Sequence, residues 1–209
     1  VVAALISSFL LTSNTRNIDQ NKDKIKGLSL NEYFNGILVL FRDRGIIGLA
    51  LMAGVRSLAQ SGLMLFIPLF LANELEVSPS LIGLGLAAMQ LGGLLAGPIA
   101  GTWSDRIGRR PVVLAGLSGS TIVITALTLA GNEVIFIAGI SILGFMLFAV
   151  RPVIHSWMMD LTPPHMAGSA TRVMFGTQSL LSASGPLLGG IIADIWGLTF
   201  VFYVLAGTM

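Results

Sequence analysis

Six residues within otherwise oily stretches have the types and spacing to do chemistry: Arg56, Gln60, Gln90, Arg151, His155 and Gln178. A charged group inside an apolar span costs about 2.5–3.5 kcal/mol on insertion scales, so its presence there points to a task. Arg56 and Gln60 are one helical turn apart and share a face with Ser57 or Ser61. Arg151 and His155 have the same spacing, with Pro152 between them permitting a kink. Guanidinium and amide groups in this pattern suit a cavity that holds an anionic or strongly polar solute. The competing reading for both arginines is a side chain that reaches back to the nearer membrane surface. His155 could relay a proton because its ordinary pKa is near 6.5, against the blander reading of a helix-end histidine bonded to a neighbour.

What is absent narrows the chemistry. The chain has no cysteine and two histidines, which removes thiolate nucleophiles, disulfides and cysteine metal sites, and leaves little for a histidine cluster. The acids fall at the ends of spans, so no serine–histidine–acid set and no pair of catalytic carboxylates can be assembled. The reading is therefore no enzyme, no metal and no cofactor. Proton coupling would rest on His155, on Asp160 or on residues outside this chain.

A second cluster is charged. Gly97, Gly101, Asp105, Arg106, Gly108, Arg109 and Arg110 end one oily stretch and begin the next, a pattern expected of a tight turn between membrane helices. Glycines 92, 93, 97 and 101 leave little bulk on one helix, so another backbone can approach closely. The Asp105 carboxylate is expected to bond arginines of the turn and to meet the N-terminal end of a facing helix. Such a contact contributes roughly 0.3–1 kcal/mol when exposed and up to ~2 kcal/mol when partly buried. That range suits a reversible latch; the competing reading is that the arginines only enforce topology.

The elements that must position these groups are membrane helices. Hydrophobic residues make up 54% of the chain and charged residues 11%, a balance that excludes an ordinary soluble domain. The net charge of +2 comes from dispersed basic residues rather than from a stripe, so nucleic acid is not a partner. Residues 1–12 read as the end of a truncated membrane helix, and 13–45 as a polar loop with an amphipathic stretch at Leu30 to Phe41. Spans are expected at about 46–72, 80–103, 112–130, 134–159 and 167–193, with a sixth, 198–209, cut short. Lysine and arginine gather at loops 13–45 and 104–111 and flank the 155–166 connector, while the alternate connectors at 73–79, 131–133 and 194–197 carry none. Basic loops remain cytoplasmic, which places those three on the cytoplasmic side of a cell membrane, most simply the plasma (inner) membrane.

The chain also echoes itself. Gly97-Pro98, Gly101, Asp105 and Gly108 resemble Gly185-Pro186, Gly189, Asp194 and Gly197, with the acid displaced by one residue. Three spans separate the copies, so they emerge on opposite faces, as in two three-helix units of inverted topology.

These residues carry a family resemblance. Gly101-Thr102-Trp103-Ser104-Asp105-Arg106-Ile107-Gly108-Arg109-Arg110 fills the signature of the major facilitator superfamily of secondary transporters. Asp160-Leu161-Thr162-Pro163-Pro164, before a span ending Gly185-Pro186-Leu187-Leu188-Gly189-Gly190, resembles the family's entry into its fifth or eleventh helix. The resemblance implies an all-α integral membrane protein, a helical bundle of inverted three-helix repeats in which the first and fourth helices of each half line a central cavity. It implies a C-terminal six-helix half over 46–209, preceded by the central cytoplasmic loop, with an N-terminal half of the same chain as partner. An N-terminal half is the alternative, because Arg151 resembles the arginine of the family's fourth-helix motif, although Ile154-His155 stands where glutamine-glycine is common. Leu181 and Arg172 occupy the upstream glycine positions of the antiporter motif, so antiport is not inferred.

The implied function is secondary active transport of a small organic solute or drug by alternating access, including proton-coupled efflux with H+ as coupling ion. The turn from Gly97 to Arg110 would then be a gate sliding against the opposite half. The alternative is a membrane receptor or scaffold that keeps the fold without transport. The partners are a small-molecule substrate and the lipid bilayer.

Overall fold

The computed structural model describes residues 43–128 and 133–209, and the regular elements within them are all helical. The expected helix end at 1–12, the polar loop as far as residue 42 and the connector residues 131–132 lie outside the described residues. The elements are α1 (Arg44–Asn73), α2 (Pro79–Ile107), α3 (Arg109–Thr128), α4 (Glu133–Leu161), a 3-10 turn (Pro164–Met166), α5 (Ala167–Trp196) and α6 (Leu198–Gly207). Five of them, α1 to α5, are long and apolar enough to cross a bilayer. At 1.5 Å per residue a helix of 30 residues is about 45 Å long, beyond the ~30 Å of hydrocarbon it must cross.

The helix starts follow from local chemistry. The Asp43 carboxylate accepts the Gly45 N–H at 2.8 Å and caps α1. Pro79 occupies the first turn of α2, after Ser78 in extended backbone, where its missing N–H costs nothing. Between α1 and α2 the chain turns tightly: the Val77 N–H donates to Leu71 O at 2.9 Å.

The charged segment is helix where the sequence suggested a turn. α2 continues through Asp105 and Arg106 to Ile107, Gly108 alone breaks the helix, and α3 begins at Arg109. One residue suffices because Gly108 has φ 95, a backbone state that a side chain disfavours, while its N–H still donates to Ser104 O at 3.1 Å. Asp194-Ile195-Trp196, expected as a connector, is likewise the last turn of α5, and Gly197 repeats the break at φ 85. Residues 155–161 of the third expected loop belong to α4. Its end is closed by the Thr162 hydroxyl donating to Met158 O at 2.7 Å. Polar side chains can reach the interface from a continuing helix, whose backbone groups stay paired, so polarity alone does not end it.

Packing follows the repeat. α2 lies along α4, and α5 lies along α1, so the second helix of each three-helix unit packs on the first helix of the other. Glycine makes both contacts possible. A Cβ at Gly92 would stand 2.7 Å from Ser141 O, and one at Gly185 would stand 2.6 Å from Leu58 O. Two apolar cores result: Leu63, Ile67, Phe70, Phe136, Leu143 and Phe202 in one, and Ile46, Ala53, Val113, Val153, Met158 and Met174 in the other. The Phe70 ring stacks on Phe136 at 5.3 Å and meets Phe202 edge-on at 5.1 Å. Along α1 the core that contains Ile46 ends at Ala53 and the core that contains Leu63 begins at Ala59. Arg56 stands between them.

Candidate functional site

Among the described residues, two places gather charged side chains with polar neighbours. The first is a cavity of about 270 Å³ lined from α1 by Arg56, Ser57, Gln60, Ser61 and Met64, from α4 by Arg151, and from α5 by Gln178 and Ser182. Arg56 is 3% exposed, and its Nη1 donates to Leu147 O of α4 at 3.1 Å. It therefore does not reach back to a membrane surface. Leu147 lies one turn ahead of Arg151, so a single carbonyl holds one guanidinium near the other. Gln178 is buried at 7% exposure, and the Ser61 hydroxyl donates to Ser182 O at 2.7 Å, tying α1 to α5 beside the cavity. None of the lining residues is acidic. Two cations with amides and hydroxyls, and no carboxylate to neutralise them, can bind an anionic group through charge-assisted hydrogen bonds.

Four of the six polar residues expected in a cavity meet there: Arg56, Gln60, Arg151 and Gln178. Gln90 does not, because α2 turns it outward and it is exposed. His155 is also not among the lining residues. Its ring packs edge-on against Phe175 of α5 at 4.9 Å, and its Nε2 is buried without a hydrogen-bond partner. His155 lies on the same face of α4 as Arg151 but one turn further along, where Phe175 of α5 covers it.

The second place is the charged end. Arg109 is the hub: its Nη1 bonds the Asp105 carboxylate and the Ser104 hydroxyl, the latter at 2.6 Å, while its Nε bonds Asp160 Oδ2 at 3.0 Å. The start of α3 is thus tied both to the end of α2 and to the end of α4. Arg106 and Arg110 are exposed. Of the glycines expected on one sliding face, Gly92 and Gly93 are already used, against Ser141 and Phe148 of α4. Gly97 and Gly101 have nothing within 4 Å of a built Cβ. The small-residue face is therefore split, half packed within this bundle and half open.

Residues 49–209 match the sequence model of the Major Facilitator Superfamily. The chain belongs to that superfamily. Its members are transporters and not enzymes, and the chain is a multi-pass membrane protein. It is 34% identical over 119 residues to the multidrug resistance protein MdtG of Serratia proteamaculans, covering 55% of this chain and 28% of that protein. It is 30% identical over 135 residues to the proline/betaine transporter of Escherichia coli K12, covering 63% of this chain and 27% of the relative. A putative metabolite transport protein of Haemophilus influenzae is 24% identical over 184 residues, covering 85% of this chain and 45% of its own length. The chain thus spans less than half the length of these relatives.

Several residues at these places were not singled out in the sequence. Ser182 follows Gln178 by one turn, and that i, i+4 spacing on the fifth span is the signal that places it on the same face. Met64 carries no such signal, since methionine is common on any oily helix. In the sequence Asp160 reads as a proton-coupling candidate and as the start of the Asp160–Pro164 motif, not as a partner of Arg109. Its bond to Arg109 joins positions 51 residues apart, which no local pattern reveals.

Proposed function

We propose that this superfamily member moves a small organic solute bearing a carboxylate or similar anionic group across the plasma membrane by alternating access. The supporting observation is the acid-free cavity that buried Arg56 lines together with the exposed Arg151. Burying Arg56 is costly, and a single carbonyl is a small return for it, so a bound anion is the natural second partner. One relative supports the reading: proline and betaine, which its name gives, each carry a carboxylate. Efflux coupled to H+ is the direction and coupling put to the test, in keeping with the multidrug name of another relative. The charged end faces the cytoplasm in this reading, since Arg44, Arg106, Arg109, Arg110 and Arg172 lie at that end of their helices. Asp105 acts there as a latch whose modest strength lets the two access states exchange.

Uptake and efflux of a labelled panel of carboxylate, cationic and neutral solutes in vesicles, with and without an imposed pH gradient, tests substrate class, direction and coupling together. Arg56→Gln should lower transport of the carboxylate members at least ~10-fold, the loss of about 1.4 kcal/mol of charge-assisted binding, while the protein still reaches the membrane. Arg56→Lys should retain part of it. Undiminished carboxylate transport by Arg56→Gln would remove the cavity from the mechanism, and a protein that bound solutes without moving them would be a receptor.

A further inference from the structure

We propose that a groove between α2, α3 and α4, at the charged end of the bundle, binds an acidic phospholipid, with an acyl chain in the groove and the headgroup phosphate at Arg106 and Arg110. The groove holds about 200 Å³ and is lined by apolar side chains, among them Ile99, Trp103, Ile107, Ala115, Phe145 and Met146. It faces away from the polar cavity. Ala149 lines the groove and Arg151 the cavity, and two residues on an α-helix are about 200° apart.

A second groove of about 150 Å³ lies between α5, α6 and α1, and the internal repeat relates the two. Val112, Ala115 and Gly116 of the first correspond to Val201, Val204 and Leu205 of the second, all at the offset that separates Gly108 from Gly197. The rims differ in charge. Beside the second groove the chain reads Asp194-Ile195-Trp196-Gly197-Leu198 and carries no cation; beside the first it reads Asp105-Arg106-Ile107-Gly108-Arg109-Arg110. Arg109 is engaged with Asp105 and Asp160, which leaves Arg106 and Arg110 as the exposed cations. Arg106 adjoins the lining residue Ile107 and follows Trp103 by one turn, and Arg110 precedes the lining residue Pro111. Trp103 is 59% exposed, as suits an aromatic side chain at the level where headgroups begin. Apolar groove, interfacial tryptophan and guanidinium groups therefore occur in the order in which a lipid presents chain, glycerol and phosphate.

The test uses the protein reconstituted in phosphatidylcholine nanodiscs, titrated with phosphatidylglycerol or phosphatidylcholine brominated on the acyl chain. Tryptophan quenching is read, and the Trp103 signal is taken as the difference from Trp103→Phe. Half-quenching of Trp103 should need several-fold less brominated phosphatidylglycerol than phosphatidylcholine, whereas Trp196, beside the second groove, should show no preference. Arg106→Gln should remove most of the preference and Arg110→Gln a smaller part, and the double lysine variant should keep it. Ala115→Phe, at an exposed position, should fill the groove and weaken quenching by both lipids. Equal curves for the two lipids at Trp103 would overturn the proposal, as would a preference that survives both glutamines or is lost equally with the lysines. The readout is binding, so it stands or falls independently of what the cavity carries.

Discussion

The two three-helix units share a backbone plan and differ in chemistry. In each, a long second helix with an internal proline, Pro98 in α2 and Pro186 in α5, ends at a single left-handed glycine and passes at once into the third helix. In each, that second helix packs by glycine against the first helix of the other unit. The first unit then adds an ion cluster at its break, Asp105 and Arg109 with Asp160 and Ser104. At the corresponding place the second has Trp196 packed at a tilt against Phe200, ring centres 5.0 Å apart. The shared parts are what a helical bundle needs to hold together in lipid. The charged part is an addition at one end only, and a structural requirement would have appeared at both.

The largest stability effects should come from the shared packing and should be alike in the two units. Gly144→Leu, against the Met89 backbone, and Gly185→Leu, against Leu58 O, each overpack a helix contact and should cost about 1–3 kcal/mol or more. Thermal unfolding of the protein in detergent would check this, and a large difference between the two would break the equivalence of the contacts. Gly108→Ala and Gly197→Ala place a Cβ at φ 95 and 85 and should each cost about 1–2 kcal/mol, again equally. The units should part at their acids. Asp105→Asn should lower transport several-fold, the factor of about 5 that ~1 kcal/mol of differential contact provides, without loss from the membrane, whereas Asp194→Asn should leave transport near that of the parent. Equal effects would make the charged end a topology signal and not a latch. The smallest effect should be the Arg109–Asp160 bond itself, whose carboxylate is 55% exposed. A double-mutant cycle with Arg109→Gln and Asp160→Asn should return a coupling of about 0.2–1 kcal/mol.

Much of this was legible in the one-dimensional chain. The helices and their order, the family signature, the inverted echo and the pairing of Arg56 with Gln60 follow from hydrophobic run length and from spacing, because a membrane helix must satisfy its own backbone and so declares itself locally. Where helices end was less legible. Asp105 and Asp194 read as loop residues, yet a polar side chain on a continuing helix reaches the interface without any cost to the backbone, and only the glycine with positive φ marks the break. Which polar residues share a cavity depended on helix rotation. Gln90 and Arg56 look alike in sequence, and only the packing of α2 on α4 sends one outward, while the carbonyl of Leu147 holds the other inside.

What the amino-acid sequence by itself determined is the class of machine: an all-helical membrane bundle with two inverted units, charged at one end, and with arginines embedded in its first and fourth helices. Those properties are set by hydropathy, by glycine and by charge position, each of which acts over a few turns of one chain. The tertiary structure alone decided that Arg56 is buried, that it meets Arg151 and Gln178 in an acid-free cavity while His155, one turn further along α4, packs on Phe175, and that Arg109 joins Asp105 to Asp160. Each of these joins residues of different helices, and the rotation of packed helices about their own axes is settled by the whole contact surface, not by any local spacing.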